Sequence, residues 1–253
     1  FTNAIVRTPG RSITEGLSNS ITLGLPNYEQ AIIQHQSYTD TLTKCGLDVH
    51  VLEPCEEYPD STFVEDVALI TPNCAIITRP GAPSRRGEVH EIEFVLKQRF
   101  NNIEAIEAPG TIDGGDIMMV GDHYYIGLSE RTNLEGAKQI IQILKKYGMS
   151  GSTISLKKVL HLKTSLSYLE KNNLVVSGEF INDSYFGQYN SIEIPEKESY
   201  AANCIWVNES VIIPLGYPKT KQRINNAGYA VIETDVSEFE KLDGGLSCLS
   251  LRY

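Results

Sequence analysis

The chain repeats one short pattern four times: two apolar runs separated by polar turn residues. The copies begin at Val67, Asp116, Ser165 and Cys204, and their turns are Pro72-Asn73, Gly121-Asp122, Lys171-Asn172-Asn173 and Asn208-Glu209-Ser210. Short apolar runs around such turns are typical of β-hairpins. Because the copies recur at intervals of roughly 40 to 50 residues, the chain is expected to be an array of similar structural units.

Two apolar runs at opposite ends of the chain lack a partner in this pattern. The run "LSCLSLRY" begins at Leu246 and has nothing after it, and "NAIVRTP" begins at Asn3. Pairing the first run with the last would complete a fifth hairpin and cover two sheet edges, which natural folds tend to leave unexposed. We therefore predict that the array closes into a ring.

Helical patterns follow most of the hairpins. Apolar residues recur at helical spacing in residues 28–46, 87–100 and 134–148, and more weakly in residues 217–228. Gly148 is the expected end of the third helix, and Thr132 or Asn133 its N-cap. Residues 180–195 show no clear pattern. The sequence predicts an α/β ring of five hairpin-plus-helix units, forming a single domain over residues 1–253.

Composition excludes several classes of protein. The formal net charge of -10 argues against binding to nucleic acid or to an anionic membrane and suits a cationic small molecule. The five scattered cysteines form no disulfide framework, and the five histidines show no metal-binding spacing. With no secretory leader and no apolar run of membrane-spanning length, we expect a cytoplasmic protein. Because the histidine spacing indicates no metal site, we also expect the protein to need no metal or cofactor.

A polar or reactive cluster lies at the start of each repeat. The five clusters are Glu65-Asp66, the "DGGD" of Asp113 to Asp116, His161 with Lys163 and Thr164, Asn203-Cys204, and Ser247-Cys248. Equivalent positions of a closed ring face one axis, so these clusters are expected to converge. A thiol, an imidazole and paired carboxylates together favour nucleophilic attack on a positively charged carbon, such as that of a guanidinium.

Structural roles for the same residues remain open at this point. A cysteine in a terminal strand is often an apolar core residue, and Cys204 rivals Cys248 as the nucleophile. Taken alone, His161 is more often a hydrogen-bonded structural histidine. Asp60, Glu65 and Asp66 are equally consistent with a solvated strand start.

Several segments together carry a specific resemblance. From about Leu17 to the C-terminus, "DSTFVEDVAL", "ITRPGAPSRR", "DGGD", "YIGLSERTN", "LHLKTS", "AANCIWVN" and "LDGGLSCLS" closely resemble the dimethylarginine dimethylaminohydrolase family, in order and near-family spacing. This family belongs to the guanidine-modifying superfamily. The resemblance implies the pentein fold, a five-bladed pseudosymmetric α/β propeller.

The resemblance also implies a role for each matching position. Cys248 resembles the nucleophile, His161 the general acid and base, and Asp113 their acidic partner. Other matching positions imply contacts with the substrate: Glu65 and Asp66 with the guanidinium, Arg85 and Arg131 with the α-carboxylate, Asp60 with the α-amine, and the backbone near Leu17 and Leu242, with the Leu17 loop as a lid. One departure is Leu249, which stands where some animal members carry a second cysteine.

The activity implied is hydrolysis of Nω-methylated arginine to citrulline and an alkylamine through a covalent cysteine intermediate. The small guanidine is the expected partner, and the protein is expected to be a monomer or homodimer. Three alternatives remain: an arginine deiminase-type enzyme that releases ammonia from unmethylated arginine or a related guanidine, an amidinotransferase that passes the amidino group to an acceptor amine, and a non-catalytic pentein that binds a macromolecule.

Overall fold

The computed structural model describes residues 1–19 and 21–253, whose strands form five three-stranded sheets. Across these described residues the strands, numbered along the chain, are β1 (Asn3–Arg7), β2 (Asp48–Leu52), β3 (Ala68–Ile70), β4 (Ala75–Ile77), β5 (Ile103–Ala105), β6 (Ile117–Val120), β7 (His123–Leu128), β8 (Ser150–Ser155), β9 (Leu166–Tyr168), β10 (Asn173–Val176), β11 (Asn190–Glu193), β12 (Ile205–Val207), β13 (Ser210–Pro214), β14 (Ala230–Thr234) and β15 (Leu251–Arg252).

The predicted hairpins are confirmed. They are the antiparallel pairs β3–β4, β6–β7, β9–β10 and β12–β13. The predicted joining of the chain ends is confirmed as well, because β1 pairs antiparallel with β15, with Ala4 opposite Arg252 and Ile5 opposite Leu251. The chain therefore forms a ring of five similar units.

Each sheet also contains a third strand that the sequence patterns did not indicate. These strands are β2, β5, β8, β11 and β14, and each pairs parallel with the second strand of its hairpin. They are short or polar, as in the "IEA" of β5 and the "SGSTIS" of β8, and largely half-exposed or exposed. A parallel partner that returns through a long crossover leaves no local turn signal.

Helices connect most of the hairpins to their third strands. They are α1 (Tyr28–Lys44), α2 (Val89–Lys97), α3 (Leu134–Lys146) and α4 (Pro218–Asn226), while a one-turn α5 (Ser237–Glu240) follows the third strand β14. The N-cap of α3 is Asn133, whose side chain accepts a hydrogen bond from the Gly136 N–H, and the helix ends before Gly148, which has a φ of 79°. Residues 180–195 hold short 3₁₀ turns and β11 rather than an α-helix.

The apolar core lies between the sheets and the outer helices. In α3 the buried face of Ala137, Ile140 and Leu144 packs with Tyr124 and Ile126 of β7. Full burial of each large aliphatic side chain stabilises the fold by about 1.5–3 kcal/mol. No helix among the described residues has the length and apolar character that crossing a bilayer requires.

A 3₁₀ turn stands before the first strand of each sheet, on the inner side of the ring. The turns are Val64–Val67, Gly114–Asp116, Leu162–Thr164, Glu196–Ala202 and Ser247–Leu249. Neighbouring turns contact one another from Ser247–Leu249 through to Glu196–Ala202. The polar clusters lie on these turns or directly beside them, so the ring gathers them about one axis.

Candidate active site

A cavity of about 130 Å³ opens where the inner turns meet. Nearly all of the site residues expected from the sequence line it: Leu17, Asp60, Asp66, Arg85, Asp113, Arg131, His161, Leu242 and Cys248. Phe63 and Gly244 complete part of the wall. We call this space the substrate cavity. Glu65 and Cys204 are not part of its lining.

An ion pair joins His161 to Asp113 in this cavity. The imidazole Nε2 lies 3.2 Å from the Asp113 Oδ2, while Asp113 Oδ1 accepts the Gly81 N–H at 2.8 Å. Burial lowers the pKa of His161, but the carboxylates of Asp66, Asp113 and Asp116 outweigh it and raise that pKa to about 9. The imidazole is therefore protonated at neutral pH and can act as an acid.

Asp66 is the second buried carboxylate of the cavity. Its Oδ2 accepts a hydrogen bond from the Arg85 Nη1 at 2.5 Å, and its Oδ1 accepts the Gly115 N–H at 3.0 Å. Burial acts to raise the pKa of Asp66, yet the charges of Arg85 and His161 hold it below its usual value. Asp66 thus presents a negative charge beside the reacting groups.

The glycines of "DGGD" allow this close packing. A Cβ at Gly115 would lie 2.7 Å from the His161 Nδ1 and 3.0 Å from the Asp66 Oδ1. Real Cβ contacts are essentially never under 3.0 Å, so a side chain at this position would displace the imidazole. The sequence needs glycine here because the backbone passes directly beneath His161.

Arg85 is held mainly by the protein itself. Its Nε donates to Glu88, its Nη1 to Asp66, and its Nη2 to Glu88 and to the carbonyls of Asp60 and Phe63. These contacts use four of the five guanidinium N–H groups, which leaves one on Nη1. Arg131 lines the same cavity and is half-buried. A clamp on a substrate carboxylate would therefore fall mostly to Arg131.

The loop around Leu17 covers the cavity near Asp60. The Leu17 N–H donates to the Asp60 Oδ1 at 3.0 Å, the Ser18 hydroxyl to the Lys241 carbonyl at 2.6 Å, and the Asn19 N–H to Asp243 at 2.5 Å. Burial raises the pKa of Asp60, although Arg85 opposes this effect. The loop is tied down on both sides of the opening, which is consistent with the expected lid.

Cys248 lies in the turn Ser247–Leu249 and is 8% exposed. Its Sγ accepts the Gly245 N–H at 3.4 Å. Burial, with the negative charges of Glu65 and Asp66, raises the pKa of the Cys248 thiol to about 12. The thiol is therefore neutral at pH 7, and a further positive charge beside it would favour the thiolate.

Glu65 lies behind the cysteine turn instead of in the cavity wall. Its Oε2 accepts a hydrogen bond from the Ser247 hydroxyl at 2.8 Å, and its Oε1 lies 2.5 Å from the Lys163 Nζ. The Arg252 Nη2 also lies 3.8 Å from Glu65 Oε1, so the carboxylate already has three protein partners. The expected contact between Glu65 and a guanidinium stays a prediction. Cys204 is buried, and burial raises the pKa of its thiol to about 12.

Two supporting residues had no role assigned from sequence. Asn203 accepts the Ser247 N–H at 2.9 Å and donates to the Ser247 hydroxyl and the Lys163 carbonyl, both at 3.1 Å, so it fixes the turn that carries Cys248. Glu88 holds the Arg85 guanidinium through both carboxylate oxygens. The three-residue spacing from Arg85 to Glu88 was the available signal for that pair.

Asp66, Asp113 and His161 are also the described residues closest to a metal-ligand arrangement. One ligand atom from each lies within 4.8 Å of the others. The Arg85 guanidinium, however, already neutralises Asp66, and His161 pairs with Asp113. The cluster is thus internally compensated, and the absence of a metal requirement stays a prediction.

Comparison with known proteins identifies the family. Residues 24–250 match the family model described as N,N dimethylarginine dimethylhydrolase, eukaryotic. The chain is 58% identical to the N(G),N(G)-dimethylarginine dimethylaminohydrolase of Pseudomonas aeruginosa, with all of both chains covered. It is 32% identical to the protein of the same name from Streptomyces coelicolor, over 98% of this chain and 96% of the relative.

Solved structures agree with this result. One is a cysteine-to-serine mutant of the Pseudomonas aeruginosa dimethylarginine dimethylaminohydrolase (DDAH), complexed with citrulline. It superimposes with a TM-score of 0.99 at 57% identity, covering 100% of this chain and 99% of that one. The N-terminal domain of the arginine dihydrolase ArgZ superimposes with a TM-score of 0.89 at 20% identity, covering 100% and 97% of the two chains, which shows the shared fold. The predicted pentein architecture is confirmed, and the chain belongs to the dimethylarginine dimethylaminohydrolase family.

Proposed function

We propose that this protein hydrolyses Nω-methylated L-arginine, in its monomethyl and asymmetric dimethyl forms, to citrulline and methylamine or dimethylamine. The observation that carries the proposal is the convergence of Cys248, His161, Asp113 and Asp66 in one cavity with Asp60 and Arg131. The name of the Pseudomonas relative and its citrulline complex support the same activity.

The cavity has complementary charges for each part of such a substrate. Asp60 would hold the α-ammonium group, and Arg131, helped by the remaining Nη1 hydrogen of Arg85, would hold the α-carboxylate. Asp66 would accept hydrogen bonds from the guanidinium N–H groups. Fixing both ends of a flexible side chain places its central carbon next to the thiol, and such positioning can contribute several kcal/mol to catalysis.

Substrate binding itself would activate the nucleophile. With a thiol pKa of about 12, Cys248 is protonated in the free protein. A cationic guanidinium placed against the sulfur favours the thiolate, so the thiol proton is lost to solvent on binding. The thiolate then attacks the guanidinium carbon, and the resulting adduct carries sulfur and three nitrogens on that carbon.

His161 would complete both halves of the reaction. In its protonated form it donates a proton to the alkylated nitrogen as the C–N bond breaks, releasing a neutral amine and leaving a cationic S-alkylthiouronium on Cys248. The neutral imidazole then removes a proton from water as the oxygen attacks the same carbon. Collapse of that adduct breaks the C–S bond, giving citrulline and the Cys248 thiol while His161 keeps the proton.

Product analysis tests the proposal. The purified protein is incubated separately with asymmetric dimethylarginine and with arginine, and citrulline, dimethylamine and ammonia are quantified. We expect equal amounts of citrulline and dimethylamine from the first substrate and little turnover of the second. Citrulline with ammonia from arginine as the main result would contradict the proposed leaving group and favour the deiminase-type alternative.

A further inference from the structure

A second, smaller cavity meets the substrate cavity at the reacting groups. Its volume is about 30 Å³, room for one or two water molecules, and both Cys248 and His161 border it. The rest of its wall includes Gly115, Thr164 and Asn203. None of the residues assigned to the α-ammonium or α-carboxylate lines this cavity. The Cys248 sulfur and the His161 imidazole therefore face two spaces, and only the substrate cavity contains the groups for the amino-acid end.

This second cavity adjoins an open groove. Thr164, Tyr200 and Asp243 border both the second cavity and an open groove of about 780 Å³. The lid residue Asn19 lines the substrate cavity and the groove, and its N–H donates a hydrogen bond to Asp243, which borders all three spaces. The groove therefore adjoins the second cavity, which His161 borders, and a route between the two would run past Thr164, Tyr200 and Asp243.

The proposed chemistry needs such a space. Its two steps use one imidazole, first as the acid that protonates the leaving nitrogen and then as the base that deprotonates water. The water must therefore occupy the position that the amine has vacated, next to His161 and the carbon bound to Cys248. The amino-acid end must stay bound during this exchange, because it is still joined to that carbon.

We propose that this second cavity, which we call the amine cavity, is the passage by which the departing alkylamine reaches the groove and by which the hydrolytic water then enters from the groove, while the lid remains closed. The proposal rests on the proposed function. The amine leaves His161 as a neutral molecule, so its passage through this space needs no counter-charge. Once protonated in the groove it meets the acidic residues Glu130, Glu240 and Asp243, and Lys157 and Lys158 also line that space.

Thr164 is the residue to vary, since it is half-buried and lies where the amine cavity joins the groove. Thr164→Leu narrows the passage and Thr164→Ala widens it. Thr43→Leu makes the same replacement on the exposed face of α1 and serves as the control. Asymmetric dimethylarginine and its bulkier Nω-propyl analogue are the substrates, and intact-protein mass spectrometry follows the covalent intermediate on Cys248.

For Thr164→Leu we expect kcat to fall by about 10-fold or more without a rise in KM, with the thiouronium adduct accumulating in the steady state. For Thr164→Ala we expect the ratio of kcat/KM for the propyl substrate to that for the dimethyl substrate to rise by about 5-fold. The reason is that space for one more methyl group changes discrimination by about 1–3 kcal/mol. Thr43→Leu should behave as wild type.

Unchanged kinetics in Thr164→Leu, or a raised KM with no adduct, would overturn the proposal. If that variant fails to fold, the Thr164→Ala preference decides alone, and an unchanged ratio would overturn it. Citrulline production by the wild-type protein separates the two claims. If the wild-type protein makes no citrulline, the proposed function fails as well. If it makes citrulline but neither Thr164 variant shows its expected kinetic change, only the role of the amine cavity is refuted.

Discussion

His161 and Asp113 form an ion pair across two neighbouring units of the ring, with the imidazole Nε2 lying 3.2 Å from the Asp113 Oδ2. The Gly81 N–H holds the second oxygen of Asp113, so the carboxylate has a fixed orientation. The arrangement sets both the direction of the imidazole and its protonation state, since Asp113 is one of the charges that raise the pKa of His161 to about 9.

Asp113→Asn should therefore lower the pKa of His161 and slow protonation of the leaving amine. We expect kcat at pH 8 to fall by about 100-fold, a typical contribution of general acid catalysis, and the alkaline limb of the kcat profile to move to lower pH. Steady-state rates from pH 6 to 10 measure both effects, with the exposed Asp122→Asn as the control. An alkaline limb that stays in place would refute the role of Asp113.

The same ion pair makes stability depend on pH. The folded protein holds the pKa of His161 at about 9, above the ordinary value of 6.5 expected on unfolding. Protonated His161 thus stabilises the fold fully below pH 6.5, and this contribution is lost as the pH rises through 9. We expect the difference in Tm between wild type and His161→Gln to shrink between pH 6 and 9.5. A difference that widens over this range would contradict the assigned shift.

Glu88 should matter for stability because it holds a buried arginine. Removing one partner of a buried pair leaves an uncompensated charge, so Glu88→Ala is expected to lower the free energy of unfolding by about 3–5 kcal/mol. Glu135→Ala breaks the exposed pair with Lys138 and should cost less than about 1 kcal/mol. Urea unfolding compares the two variants. A similar small cost for both would show that Asp66 alone compensates Arg85.

Asp60→Asn tests recognition of the α-ammonium group. The amide keeps an oxygen to accept the Leu17 N–H but loses the negative charge, so KM for dimethylarginine should rise by about 10-fold or more with a smaller change in kcat. A substrate analogue that lacks the α-amine provides the matched comparison. It should show nearly equal KM values with the wild-type and variant proteins. An equal rise in KM for both substrates would indicate a general disturbance of the lid.

The sequence predicted the part of the fold that local patterns encode. The hairpins were detectable because each joins two apolar runs through polar turn residues, and the pairing of β1 with β15 followed from having one unpaired run at each end. The parallel strands were missed. The strand β5 has three residues, and its partner β4 is separated from it by α2, so no local signal marks the pairing.

The sequence predicted which residues form the site better than it predicted where their side chains point. Glu65 and Asp66 are adjacent, yet Asp66 lines the substrate cavity while Glu65 pairs with Lys163 behind it. Successive residues of a 3₁₀ turn point about 120° apart, which sends the two carboxylates to different places. The support of Ser247 by Asn203 could not be inferred either, because it joins residues 44 positions apart in the chain.

Detection of a covalent intermediate on Cys248 would test the central claim most directly. His161→Gly should retain the thiol but lack the base for hydrolysis, and a histidine-to-glycine variant of a dimethylarginine dimethylaminohydrolase has been crystallised as an adduct with S-methyl-L-thiocitrulline. We expect this compound to react with the His161→Gly protein with loss of methanethiol and to leave one S-alkylthiouronium group, which peptide mapping should place on Cys248 and which Cys248→Ser in the same background should abolish. No adduct, or an adduct on another cysteine, would contradict the mechanism.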